Sequence, residues 1–113
     1  MAVMVIIQRR FADKQQAEKL IPLILKLRSQ ATVQPGYLTG QTLRCLDCAG
    51  EYMVLSTWNR REDWDRWQAS PERRALQRQI DDLLGEETHY RFYEPVVGGI
   101  MPVFKDAKPA DKF

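Results

Sequence analysis

One histidine and two cysteines among 113 residues leave little from which to build a metal centre. The thiols stand together as Cys45-Leu46-Asp47-Cys48, but a structural zinc needs a second such pair, and a thioredoxin-like pair would open a helix whose dipole lowers the thiol pKa. Free thiols are the expectation, with no metal site. The chain also lacks a glycine-rich phosphate loop, paired dinucleotide glycines, a G-x-S-x-G nucleophile and an H-E-x-x-H pair. Nothing therefore points to a nucleotide cofactor, and no cofactor is expected. Neither sign of charge dominates: 17 Lys and Arg face 15 Asp and Glu, a net +2 with no basic stripe, which argues against a nucleic-acid partner. No hydrophobic run is long enough to cross a bilayer. The opening MAVMVIIQRR has no positive segment ahead of its short apolar run, so it reads neither as a membrane span nor as a signal. A cytoplasmic protein with no membrane partner is expected.

What the chain does contain is ordinary for a soluble domain: 44% hydrophobic and 28% charged residues. A chain of this length suits one domain, burying roughly 65% of its unfolded surface around a single core. Val3 to Phe11 is short and rich in β-branched residues, which favours a strand; Val5 and Ile7 point one way, Met4 and Ile6 the other, and Gln8 is a polar exception. From Asp13, a plausible N-cap, to Gln30, the residues Ala17, Leu20, Ile21, Ile24 and Leu27 recur at helical spacing. Pro22 inside this helix predicts a kink or break near Ile21.

After the turn residues Pro35-Gly36, Tyr37 to Leu46 and Glu51 to Trp58 read as a β-hairpin. Asn59 is a candidate cap for a helical turn from Arg61 that carries Trp64 and Trp67. Ser70-Pro71 then reads as a fresh N-cap and first helical position, opening a helix that stops at Gly85, with Ala75, Leu76, Ile80, Leu83 and Leu84 as its buried stripe. Glu87 to Tyr93 reads as a last strand, with His89, Arg91 and Tyr93 on one face.

The order β-α-β-β-α-β predicts an α+β, ferredoxin-like domain over residues 1–94, an antiparallel sheet with its helices on one face. A sheet apolar on both sides would bury its bare face against a second copy, so a homodimer is expected. Residues 95–113 read as a tail that packs partly on the dimer partner and ends in a mobile charged stretch.

The run PGYLTGQTLR, a strand ending STW and a helix reading EDWDRWQASPERR resemble the antibiotic biosynthesis monooxygenase family of dimeric α+β barrels, across roughly residues 3 to 93. That resemblance implies a scaffold shared by cofactor-free quinol and anthrone oxygenases, haem-degrading monooxygenases and an isomerase-like enzyme acting on a quorum-sensing signal. In the haem-degrading members an Asn on the first strand, a Trp after the hairpin and an iron-binding His surround the porphyrin. Gln8, Trp67 and Gln77 stand at the matching positions. An amide is a poor iron ligand beside imidazole, so haem chemistry is the weakest alternative.

The resemblance favours a cofactor-independent monooxygenase acting with dioxygen on an aromatic, quinol or polyketide-like small molecule in a pocket between helices and sheet. A non-catalytic small-molecule-binding barrel is the alternative. A phenol or quinol must lose a proton before it can reduce dioxygen, and the resulting anion needs donors in a dry cavity. Trp67, Gln8 and His89 are the candidate catalytic residues; Trp64, Gln77, Arg91 and Tyr93 are candidates for binding substrate. Each has a plainer reading: large aromatics mostly carry packing, a strand histidine is more often structural, and an amide in an apolar strand needs only some partner. Periodicity leaves open whether His89, Arg91 and Tyr93 face the helices or the dimer.

Overall fold

In the computed structural model the structure describes residues 2–96 and Gly98. The elements run β1 (Val3–Arg10), α1 (Lys14–Ala31), β2 (Tyr37–Arg44), β3 (Glu51–Trp58), α2 (Arg61–Ala69), α3 (Pro71–Leu84) and β4 (His89–Tyr93). The four strands form one antiparallel sheet in the order β2-β3-β1-β4, as the ferredoxin-like reading expects.

Alternation along β1 decides which face is which. Val3, Val5, Ile7 and Arg9 are buried, while Met4 and Ile6 are half-buried and Gln8 and Arg10 exposed. The buried set meets Leu20 and Leu27 of α1, Trp64 and Trp67 of α2, and Leu76 and Ile80 of α3 in one core. All three helices therefore cover the same face of the sheet.

Local signals set most boundaries. The Asp13 side chain accepts from the Gln16 N–H at 2.9 Å and opens α1. Ser70 separates α2 from α3: its side chain accepts from the Arg73 N–H at 3.3 Å, and Pro71 follows where a missing N–H costs nothing. Gly85, at φ 72°, closes α3 in the left-handed conformation. Three expectations need correction. Helix α1 runs unbroken from Lys14 to Ala31 with Pro22 inside it. The N-cap of α2 is Arg60, not Asn59, and no side chain caps it. Ala75 is exposed, and the buried face of α3 instead runs Arg73, Leu76, Gln77, Ile80, a helical i, i+3, i+4, i+7 stripe half of which is polar. The expected packing of the tail on a partner falls almost wholly outside the described residues. No helix of the described residues is long and apolar enough to cross a membrane.

Candidate functional site

Between the sheet and the helices lies a cavity of about 60 Å³, several times the ~10–15 Å³ a single water needs. Its floor is Ile7 and Arg9 of β1 with Val54, Ser56 and Trp58 of β3; Ile24, Leu27 and Ala31 of α1 form its roof; Trp64, Trp67 and Arg73 close its inner end. The rim lies between α1 and β2, where the exposed Arg28 donates to Thr42 Oγ1 at 3.4 Å. Gly40 lies on the β2 side, and the Tyr37 hydroxyl occupies the space its missing side chain leaves.

The inner wall is an aromatic lattice. Tyr37 meets Trp58 edge-on at 5.4 Å, Trp58 meets Trp64 at 5.7 Å, and Trp64 meets Tyr90 at 5.7 Å and Phe92 at 6.3 Å. Trp58 donates its indole N–H to Ser56 Oγ at 3.0 Å, whereas the buried indole N–H of Trp64 has no acceptor among the described residues.

Against this apolar wall stand two buried guanidiniums. Arg9 is 3% exposed and Arg73 2%. Both donate to one amide oxygen, Gln77 Oε1, at 3.1 and 3.3 Å, and the Tyr90 hydroxyl donates to it at 3.1 Å. Arg73 also donates to the Tyr90 oxygen at 2.9 Å and lies 5.0 Å over the Trp64 ring. Arg9 reaches the Tyr52 hydroxyl only at 3.5 Å. The other end of Gln77 is held by Asp81 and Thr88, with Nε2 donating to Asp81 Oδ1 at 2.8 Å. Burial pushes the Arg73 guanidinium below the usual arginine range; Tyr90 offsets part of this, and the like charge of Arg9 adds to it. Burial likewise raises the Tyr52 phenol, against the pull of Arg9, so that group stays neutral.

The structure divides the sequence-derived residues into two groups. Trp64 and Trp67 line the cavity, and Gln77 braces its arginines. Gln8, His89, Arg91 and Tyr93 are exposed on the opposite face of the sheet, Gln8 and His89 as direct cross-strand partners. A role for these four inside the cavity of the same chain is excluded by strand alternation. Gln77, which the family resemblance sets against an iron-binding histidine, has its oxygen engaged by two guanidiniums and a phenol, an arrangement that does not suit a metal ligand. Cys45 and Cys48 are free thiols on the β2–β3 hairpin, away from the cavity.

Arg9 and Arg73 were not among the sequence candidates, yet signals for both existed. Arg9 continues the odd-numbered face of Val3, Val5 and Ile7, and Arg73 continues the Leu76–Ile80 stripe by helical spacing. A charge that falls in step with a core pattern is the signal of a buried charged group.

Residues 2–79 match the profile of the antibiotic biosynthesis monooxygenase family. The chain belongs to this family. Among solved structures it resembles a variant of SnoaB, a cofactor-independent oxygenase from Streptomyces nogalater, at 16% identity and a TM-score of 0.71, covering 82% of this chain and 91% of that one. It also resembles Rv0793 from Mycobacterium tuberculosis, at 18% identity and TM-score 0.73, over 85% of this chain and 96% of that one. A conserved protein from Methanosarcina mazei Go1 gives 15% identity and TM-score 0.73, over 82% and 91% of the two chains. At such identities the likeness is one of fold alone. Among curated proteins, no sequence matches this chain.

Proposed function

We propose that this member of the antibiotic biosynthesis monooxygenase family oxygenates a small aromatic, quinol or polyketide-like molecule in the cavity, with dioxygen as oxidant and no cofactor. The observation that carries this reading is the chamber itself: an aromatic wall at Trp58, Trp64 and Trp67 with cationic donors at one end. Such a chamber keeps water from a reactive anion while stabilising its charge. In the proposed reaction the substrate anion reduces dioxygen by four electrons; one oxygen atom stays on the substrate carbon as a carbonyl, and the other leaves as water.

Oxygen uptake by the purified protein, recorded with quinols, phenols and anthrones, tests it. Trp67→Phe, which keeps an aromatic wall but shifts its surface, should lower turnover about tenfold or more while leaving the melting temperature nearly unchanged. Uptake at the buffer rate with every class rejects the oxygenase reading, and an unaltered rate in the variant rejects Trp67 as a wall of the site.

One observation favours the alternative, a barrel that binds without catalysis: no carboxylate or imidazole lines the cavity among the described residues. Silence in oxygen uptake combined with tight ligand binding would select it. We further propose that the outer sheet face pairs with a second copy. Met4, Ile6, Met53 and Leu55 form a half-buried apolar strip there, flanked by Leu43 at 37% and Tyr93 at 46% exposure. Sedimentation equilibrium should give the mass of a dimer, and a monomer mass would remove this part.

A further inference from the structure

Arg9 and Arg73 present a problem in hydrogen-bond accounting. Buried charges are costly unless paired, yet neither guanidinium has a carboxylate within ion-pair distance among the described residues. The nearest acid in the network, Asp81, bonds to Gln77 and Thr88 rather than to either arginine. Two guanidiniums bring far more N–H donors than the neighbouring oxygens can accept. One amide oxygen, Gln77 Oε1, takes a bond from each arginine and a third from Tyr90. Even so, Nε of Arg9 and Nε of Arg73 are both buried without any partner. A purely structural role offers no reason to hold two like charges together in an apolar core, since apolar side chains of similar volume would be as stable or more so. Both residues line the cavity, so an occupant can supply what they lack.

We propose that the cavity recognises its ligand as an organic anion, a small aromatic or enolisable molecule whose carboxylate is held by the Arg9–Arg73 pair, with Gln77 setting the separation of the two guanidiniums. The pair suits a planar oxyanion, because guanidinium N–H groups match carboxylate geometry and such charge-assisted bonds are the strong ones. It also resolves the missing base. A cavity with no titrating acceptor but two fixed cations suits a molecule that arrives ionised, or whose ring proton is made more acidic by the field of the pair. Arg28 at the rim adds a third positive group on the entry side, which favours approach of an anion.

This inference rests on the cavity being the ligand site, but not on its being an oxygenase, and one experiment separates the two. The wild-type protein is titrated with benzoate and para-hydroxybenzoate and with the isosteric neutral amides benzamide and para-hydroxybenzamide, following tryptophan fluorescence and the melting temperature. The carboxylates should bind about tenfold or more tightly than their amides, because an amide offers one neutral acceptor oxygen and turns an N–H donor towards the cationic pair. Arg9→Met and Arg73→Met should each collapse that ratio towards one while leaving amide affinity nearly unchanged. Amides that bind as well as carboxylates overturn the proposal and leave the pocket reading standing. A carboxylate preference that survives in both variants overturns it as well, as does a panel in which no carboxylate binds. Should one variant fail to fold, the wild-type comparison still decides. A clear carboxylate preference in a protein that takes up no oxygen supports this proposal while rejecting the oxygenase reading.

Discussion

Replacing Trp64 with alanine should cost about 2–4 kcal/mol of folding stability, a large share of the ~5–15 kcal/mol a domain possesses. Trp64 is 2% exposed and sits where helix α2, strand β3 and strand β4 converge, touching Trp58, Tyr90 and Phe92 with Arg73 over its face. Truncating a buried tryptophan to alanine ordinarily costs about 3–5 kcal/mol in lost transfer energy and residual cavity. The lower figure expected here comes from the indole N–H, which is buried without an acceptor and whose removal relieves about 1 kcal/mol or more. The two effects separate in a second variant. Trp64→Phe removes the orphaned donor and little volume, so it should fall within about 1 kcal/mol of the parent. Urea denaturation measures both. An alanine variant within about 0.5 kcal/mol of the parent would mean that the aromatic lattice does not hold the inner wall in place.

Gly36→Ala should be far more damaging than a single added methyl ordinarily is. Gly36 has φ 86°, where a side chain is strained by about 1–2 kcal/mol, and its carbonyl accepts from the Asn59 N–H at 2.7 Å, tying the start of β2 to the end of β3. An added Cβ would run into the carboxylate of Asp63, which is 4% exposed and lies 3.3 Å from Arg66 and 3.6 Å from Arg60. Those two arginines are largely exposed, so the ion pairs themselves contribute little. The penalty comes from displacing a buried acid and the first turn of α2 with it. Gly85 supplies the control: it has φ 72°, and nothing lies within 4 Å of the position its Cβ would take. Gly85→Ala should therefore show backbone strain alone, about 1 kcal/mol, and Gly36→Ala about 2–4 kcal/mol. Equal losses in thermal unfolding would show that contact with Asp63 is of no consequence.

Much of the fold was legible in the residues because its signals are local. Ser70-Pro71 and Gly85 bound α3 by capping chemistry, and the hairpin follows from two β-rich runs around the Asp47–Gly50 loop. Pro22 lies in the middle of the 18-residue helix and does not break it: it forfeits one hydrogen bond, while burial of Leu20 and Leu27 on either side still favours helix. The site was half legible. Trp64 and Trp67 announced themselves by size and spacing. Gln8 drew notice as a polar residue in an apolar strand, but β1 is apolar on both faces, so alternation could not say which face opened on the cavity. The arginines escaped because charged residues are taken for solvent-facing by default, and only the packed structure shows Arg9 and Arg73 enclosed together.

We propose that the ligand of this protein lies under the helices, at the arginine pair, and not on the outer face near His89. Crystals of the full chain soaked with para-bromobenzoate test it most directly, since bromine can be located by its anomalous scattering. The expected result is a bromine peak among Trp58, Trp64 and Trp67 or pointing to the rim between α1 and β2, with carboxylate oxygens in hydrogen-bond contact with Arg9 and Arg73. A peak confined to the sheet face of Gln8, His89 and Tyr93, with the cavity left empty, would contradict it.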